Sequence, residues 1–438
     1  MMSSHGHGNC PVHAEFDPLA TEFLADPFAV MASLPRDIPV FYAPAIDYYV
    51  VTRYADIKAV FLDPETYSAA ATQLPLVQLV PAAMQILQGS GHRPQPSMVS
   101  LDPPAHTRLR SPTARAFTPG RVTQMEPKIR RTINQLLDVI DPSAPFDLVS
   151  GLTFPLPATI IFSFVGIPER DWPQLKEWCG HRAALGFGRP TPDEQVQHAT
   201  NMAAYRQYLT TYVATKATMR DDDFTSSLLA IHDENPSELT HEEISSILYS
   251  LTFAGHETTN YLIGNLLYRL LEKPERWEAV VADPELIPHA VEETLRYDPP
   301  VPVWRRATRR PVTLGGVDVP EGAKLFLWLA SSGRDGSVFP APETFTLGRS
   351  DTSKSLAFGL GIHYCPGAAL AKLEAGLALE VLTRRFPRLR LVDGQELSFD
   401  PNISFRGPQL LWVKATENAD ALKMESPPNI GCSKALCF

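Results

Sequence analysis

The amino-acid sequence predicts a mainly helical fold with a smaller β region, organised as one domain. A helical pattern runs unbroken over 240–271, and Thr240 followed by Glu243 has the form of a capping box, a helix start signal. Further helical patterns cover 122–140, 192–219 and 366–385, the last with Ala369, Leu370, Leu373, Leu377 and Val381 at helical spacing. Strand-like runs are short, and no internal repeat or linker divides the 438 residues.

Taken in order, residues 1–15 hold His5, His7, Cys10 and His13. Those types could bind a metal, but nothing around them could build a ligand shell, so a polar, flexible N-terminus is expected. Runs 39–42 and 48–52 are rich in β-branched and aromatic residues and predict strands; 55–61 predicts a helix. Between 68 and 100 periodicity is weak and Pro and Gly recur, the pattern of a binding loop. After Pro103-Pro104, His106 and Arg110 lie four apart and share a helix face. They could equally be a solvated basic face, since Arg108 and Arg115 are close by. The apolar stretch 148–165 predicts a core helix after Pro157, with Cys179 as packing and Asp221-Asp222-Asp223 as a solvated turn. Glu293 and Arg296, three apart on a helix, can pair. Strands are expected over 312–319 and 324–329 around Pro320-Glu321-Gly322, and over 389–392 and 410–413 around the turn 402–408. From about 415 the chain is polar, includes Cys432 and Cys437, and is expected to be a flexible tail.

Composition narrows the function classes. Charged residues at 20% and apolar ones at 44% describe a globular chain, and a net charge of −10 argues against a nucleic-acid partner. The five cysteines are odd in number and mostly far apart, which argues against a disulfide framework and suits a reducing compartment. The apolar run 154–168 is too short for a membrane span and is broken by Pro155 and Pro157. With no signal peptide at the N-terminus, a soluble, cytoplasmic protein without a membrane span is expected.

Two stretches carry chemistry. Phe358-Gly359-Leu360-Gly361-Ile362-His363-Tyr364-Cys365-Pro366-Gly367 places one cysteine in a glycine-built turn directly before a helix. Backbone dipoles and free N–H groups at a helix start favour the thiolate, and a lone thiolate on a rigid loop suits a haem iron. The alternative is an inert, packed cysteine. Ala254-Gly255-His256-Glu257-Thr258-Thr259 lies inside the long helical pattern. A glycine there costs about 1 kcal/mol relative to alanine, which suggests room for a ligand near the backbone. Glu257 beside Thr258 offers a proton carrier next to a hydroxyl. The alternative is a helix bent by Ser and Thr with an exposed glutamate. A zinc His-Glu-x-x-His site is excluded, because residue 260 is Asn and residue 245 is Ser.

The cysteine loop resembles the Phe-Gly-x-Gly-x-His-x-Cys-x-Gly loop of the cytochrome P-450 family. Residues 254–258 resemble that family's oxygen-activation segment, 293–296 its Glu-x-x-Arg, and 305–307 its Arg-x-Ala. The motifs occur in family order from His106 to Gly367, and a weaker likeness covers about 15–415. Residues 39–44 and 404–408 further resemble the haem domains of self-sufficient bacterial members fused to a reductase.

The resemblance implies the cytochrome P-450 fold as a single haem domain carrying haem b, iron protoporphyrin IX. Cys365 would be the metal ligand. His106, Arg110, Arg305 and His363 would meet the propionates, with Arg306 the less favoured choice. Ala254, Gly255, Phe358, Gly359 and Gly367 would complete the cofactor site. Glu257 and Thr258 would be catalytic, and Glu293 with Arg296 would form a structural core pair. The implied activity is a monooxygenase inserting one atom of O2 into a small to medium, largely apolar organic substrate. Leu251, Phe253, Val301, Val303 and Phe405 are pocket candidates. No stretch reads as a flavin or iron–sulfur site, so electrons from NAD(P)H are expected through a separate ferredoxin or flavin-type reductase system. Arg108, Arg115 and Lys372 are either a docking patch for it or ordinary solvated charges. A haem-thiolate enzyme using peroxide or rearranging an oxygenated substrate is the alternative, and a haem-based sensor a third reading. The presence of both Glu257 and Thr258 favours oxygen-dependent catalysis.

Overall fold

The 31-residue helix His241–Leu271 is apolar almost all round and is therefore buried on nearly every side. Its start is the expected capping box: Thr240 Oγ1 accepts from the Glu243 N–H (3.2 Å) and Glu243 Oε2 accepts from the Thr240 N–H (3.0 Å). Helices Pro155–Phe164, Pro192–Thr218, Leu286–Tyr297 and Ala368–Arg385 pack around it. The computed structural model describes residues 9–34, 38–89 and 97–415.

Departures from the expected helices have local causes. The 122–140 pattern is two helices, Pro119–Gln124 and Glu126–Asp138, because Pro127 has no N–H to continue the first. The apolar 148–165 stretch opens with a π-helical turn, Val149–Thr153, before Pro155–Phe164. Helices Trp172–Phe187, Phe224–Glu234 and Pro274–Ala282 had no strong periodicity to announce them. Their signals are start signals: Pro173, Pro274, and Asp223, whose Oδ1 accepts from the Ser226 N–H at 2.8 Å. Asp223 therefore does not belong to a solvated turn. It is buried, and lies 2.6 Å from the equally buried Lys216 Nζ.

The strands are β1 (Val40–Ala43), β2 (Tyr48–Val51), β3 (Tyr67–Ser68), β4 (Phe146–Asp147), β5 (Val303–Thr308), β6 (Val312–Leu314), β7 (Val317–Val319), β8 (Lys324–Trp328), β9 (Leu389–Leu391) and β10 (Trp412–Ala415). The main sheet has the order β1-β2-β8-β5-β3, with only the β2–β8 pair parallel. β4-β10-β9 and the β6–β7 hairpin are separate. The N-terminal segment is more ordered than expected: Val12 bridges to Tyr42, the His13 N–H donates to the Tyr42 carbonyl (2.9 Å), and Cys10 is buried. His5, His7, Cys432, Cys437 and the expected tail lie outside the described residues.

Glu293 and Arg296 form the expected core pair, with both side chains fully buried. Arg296 Nε and Nη2 each donate to Glu293 at 2.7 Å. Nη1 donates to the carbonyls of Gly333 (2.7 Å) and Pro342 (2.8 Å), and Nη2 to that of Thr344 (2.9 Å). Glu293 also accepts from the Thr346 N–H (2.7 Å) and pairs with Arg349 (3.3 Å). Every polar atom of the pair thus has a partner, and all but Arg296 Nε, which meets only Glu293, have one in the irregular segment that leads to the cysteine loop. Removing one charge of such a pair strands the other, at a cost of about 3–5 kcal/mol. Glu293→Gln is expected to lose that much stability in chemical denaturation. A loss under about 1 kcal/mol would show that the pair behaves like a surface ion pair.

Candidate active site

The cysteine loop is shaped by two glycines with left-handed backbone, Gly359 (φ 68°) and Gly361 (φ 72°). At Gly361 a β-carbon would come within 2.6 Å of the Phe61 carbonyl oxygen, so no other residue fits. The Cys365 N–H closes the loop on the Phe358 carbonyl (3.0 Å), and helix Ala368–Arg385 follows. The backbone N–H groups of Gly367 and Ala368 and the charge of Arg110 draw the Cys365 thiol down, as a helix start should. Burial is the larger effect and pushes it up, so the loop alone does not yield a thiolate.

Cys365 lines a cavity of about 180 Å³ beneath the central helix. Ala254 and Thr258 line it from that helix, and Phe358, Gly359 and His363 from the loop. Ala254 is exposed and Thr258 half-exposed on a helix otherwise buried here, so this face was left for something other than protein. Thr258 Oγ1 donates to the Ala254 carbonyl (2.6 Å), four residues back. Leu251, Phe253, Val301 and Phe405 line the cavity as expected. Gln73, Met98 and Val99 add a wall from the weakly periodic 68–100 stretch.

Val303 and Arg305 do not face the cavity, and one cause explains both. Side chains alternate along β5, so Trp304 and Arg306 occupy the opposite face from Val303 and Arg305. Trp304 lines the cavity, while Val303 is sealed in the core. Arg305 donates to the Leu74 carbonyl (2.6 Å) and stacks on Phe187. Arg306 is the arginine whose charge, together with that of Arg110, acts on His106 and His363. Those two rings lie 4.2 Å apart. Burial, helped by neighbouring arginine charge, pushes His106 down and His363 down to about 3, so both are neutral. Both ring nitrogens of His106 and Nε2 of His363 are buried without a hydrogen-bond partner. Neutral donors beside Arg306, with Arg110 nearby, are an incomplete set that an anion would complete.

Gly255 has a packing explanation in place of the expected ligand one. A β-carbon there would lie 2.7 Å from Ile161 Cγ1, so the glycine lets helix Pro155–Phe164 approach the central helix. Glu257 points away from Cys365, into a second, polar cavity of about 680 Å³ rimmed by the exposed Glu194 and Gln409. Burial, with a smaller contribution from Asp400, pushes Glu257 up to about 8, so it holds its proton at neutral pH. It lies against the Tyr261 hydroxyl, which donates to Asp400; Asp400 in turn accepts from Gln409 (2.6 Å). His256 is neutral in the core against Phe154 and Phe162. The suggested basic patch is mostly neutralised: Arg108 pairs with Glu243 and Lys372 with Glu292 (2.5 Å).

A family model described as "Cytochrome P450" matches residues 187–408. Cytochrome P450 107B1 of Saccharopolyspora erythraea is 36% identical over 84% of this chain and 89% of its own length. The cytochrome P450 monooxygenase PikC of Streptomyces venezuelae is 35% identical over 94% and 96%. Among solved structures, cytochrome P450 CREJ in complex with (4-ethylphenyl) dihydrogen phosphate superposes with a TM-score of 0.89 at 37% identity, covering 92% of this chain and all of that one. An intact type IV self-sufficient cytochrome P450 monooxygenase matches with a TM-score of 0.89 at 34% identity, over 94% of this chain and 54% of its own. The chain belongs to the cytochrome P450 family of haem monooxygenases.

The contact at Gly255 is directly testable. Gly255→Ala should destabilise the protein by about 1–3 kcal/mol through overpacking against Ile161, despite alanine's better helix propensity. Adding Ile161→Ala should recover part of that loss. A stabilised single variant would show that Ile161 yields freely.

Proposed function

We propose that this chain inserts one atom of O2 into a small to medium organic substrate with a largely apolar body, using Thr258 and Glu257 to manage protons. The observation that carries it is one cavity bounded by Cys365 on one side and Ala254 and Thr258 on the other, with the unpartnered histidines nearby. The residues fit haem b: Cys365 would hold its iron, and His106, His363, Arg110 and Arg306 its carboxylates. When bound, haem supplies the oxygen chemistry, with the thiolate's electron density favouring O–O cleavage. The apolar lining of Leu251, Phe253, Val301 and Phe405 excludes water and holds the substrate.

Glu257 and Thr258 are consecutive residues, about 100° apart around one helix, and line different cavities. Thr258 Oγ1 is a hydroxyl that can give and take a proton inside the apolar cavity. Glu257 is a protonated carboxyl reached from the polar cavity along Asp400, held by Gln409, and Tyr261. Proton supply thus comes from the wet side without opening the dry one. The relatives named as the vitamin D(3) 25-hydroxylase of Pseudonocardia autotrophica and the erythromycin C-12 hydroxylase of Saccharopolyspora erythraea, each 35% identical, indicate how widely substrates vary. Electrons would come from NAD(P)H through a separate ferredoxin or flavin-type partner. Of the three surface cations considered for docking it, only Arg115 is exposed without an ion pair among the described residues.

Reduction under carbon monoxide is expected to give a thiolate-type haem spectrum in the parent and to lose it in Cys365→Ser. An unchanged spectrum in the variant would remove Cys365 as the ligand. A second expectation concerns pH. Glu257 keeps its proton up to about 8 in the folded protein but loses it near 4.5 when unfolded. Its burial therefore lowers stability as pH rises through that window, and its capacity to donate is lost above about 8. Product formed per NAD(P)H consumed should fall above pH 8 in the parent. In Glu257→Gln it should be low and flat. A parent profile that stays level to pH 9.5 would exclude Glu257 as the donor.

A further inference from the structure

We infer that Arg182, in the roof of the substrate cavity, is an anchor for a substrate oxyanion, a carboxylate or a phosphate ester. This rests on the haem-cavity reading above and narrows its substrate to an apolar body with one anionic end. Arg182 belongs to helix Trp172–Phe187 and lines the same cavity as Cys365 and Thr258. Its side chain is 5% exposed. Its guanidinium lies over the rings of Tyr249 (4.0 Å) and Phe253 (4.5 Å), and Nη1 donates to the Tyr249 carbonyl.

Nothing negative accompanies that charge. Among the described residues no carboxylate pairs with Arg182, whereas Arg296, Arg269 and Arg349 each meet one; the buried Arg305, which also lacks one, gives Nη1 and Nη2 to the carbonyls of Leu74 and Gly186 instead. Nε and Nη2 have no protein acceptor, and neither is sealed from the cavity. Stacking fixes the guanidinium plane, so its free edge presents two parallel N–H groups, the fork that matches an oxyanion. Burying an unpaired charge is costly, and the two rings only partly offset it. A ligand that brings the counter-charge recovers the remainder on binding.

The other groups in the cavity do not compete for this role. Arg110 donates to the Tyr364 carbonyl at the cysteine loop, where its charge acts on Cys365. The Ser250 hydroxyl proton is committed to the Ser246 carbonyl (3.0 Å). Glu257 does not line this cavity but the second, polar one. Position along the helix adds a length. Arg182 lies over residues 249–253, so at 1.5 Å per residue it is roughly 8–13 Å along the axis from Thr258. An anion held there would place a carbon at about that distance beside Thr258.

The test titrates the haem-loaded protein, by calorimetry and by the haem absorption shift, with two matched pairs. These are decanoate against 1-decanol, and 4-butylphenyl phosphate against 4-butylphenol. At least one anion should bind about tenfold or more tightly than its neutral twin, as a charge-assisted pair predicts. Which pair shows the preference separates a carboxylate site from a phosphate site. Arg182→Gln should bring that ratio near one while leaving the neutral twin's affinity unchanged, and Arg182→Lys should keep part of it. Equal affinities in the parent, or a preference that survives in Arg182→Gln, overturns the inference. If Arg182→Gln does not fold, the parent pairs and Arg182→Lys decide alone. A missing thiolate-type spectrum would fail the haem reading separately, because calorimetry still reports anion preference.

Discussion

The buried pair of Glu293 and Arg296 is the constraint on which the cysteine site depends. A surface pair three residues apart would contribute little. This one is fully desolvated, so each polar atom must find a partner, and it finds them in the otherwise irregular 333–349 segment. That segment has no regular ladder of its own, and the carbonyls of Gly333, Pro342 and Thr344 are held by one guanidinium. Arg349 closes the knot from the far end. The loop bearing Cys365 begins about ten residues later. Its position is therefore set by electrostatics buried elsewhere in the core as much as by its own glycines.

The same physics explains why the Cys365 sulfur is poised but incomplete. Two backbone N–H groups and Arg110 act on it in the direction a thiolate requires, yet burial outweighs them. His106 and His363 have the complementary deficiency: buried nitrogens with no acceptor or donor to meet. A sulfur short of positive charge and a polar cluster short of negative charge, on one cavity, describe a site built around a group carrying both. Haem, with a cationic iron and two carboxylates, has that distribution.

Much of this was legible in the sequence, and the failures are instructive because they are few in kind. Capping, proline and glycine chemistry placed the central helix and the cysteine loop. The Arg-x-Ala resemblance was what misled, at β5, a strand the sequence had not announced. Val303 and Arg305 were assigned to the cavity together, and both belong to the other face of β5; a shift of one residue exchanges all side chains between faces. No local signal distinguishes Arg305 from Arg306, since the choice is made by what packs on each side of the sheet. Gly255 illustrates the same limit in a helix. The sequence correctly marked it as needing a reason, but only the neighbouring helix, through Ile161, supplies that reason. Trp304 and Arg182 were not readable as cavity residues at all: the motif on β5 starts at the next residue, Arg305, and the helix Trp172–Phe187 carries none.

The central helix acts as a partition, and its sequence is arranged to do so. Residues 254 and 258 are one turn apart and face the apolar cavity, while Glu257 and Tyr261, also one turn apart, face the polar one. A proton donor placed on the dry side would have to be buried with no route to solvent. Placed on the wet side, it is rechargeable through Asp400 and Tyr261, and its raised affinity for the proton keeps it loaded at neutral pH. The hydroxyl of Thr258 lies on the adjacent residue of the same helix, facing the dry cavity. Among the described residues the dry cavity keeps two arginines without a carboxylate partner, Arg110 at the cysteine loop and Arg182 in the roof, and the second is placed where a substrate's own charge can answer it.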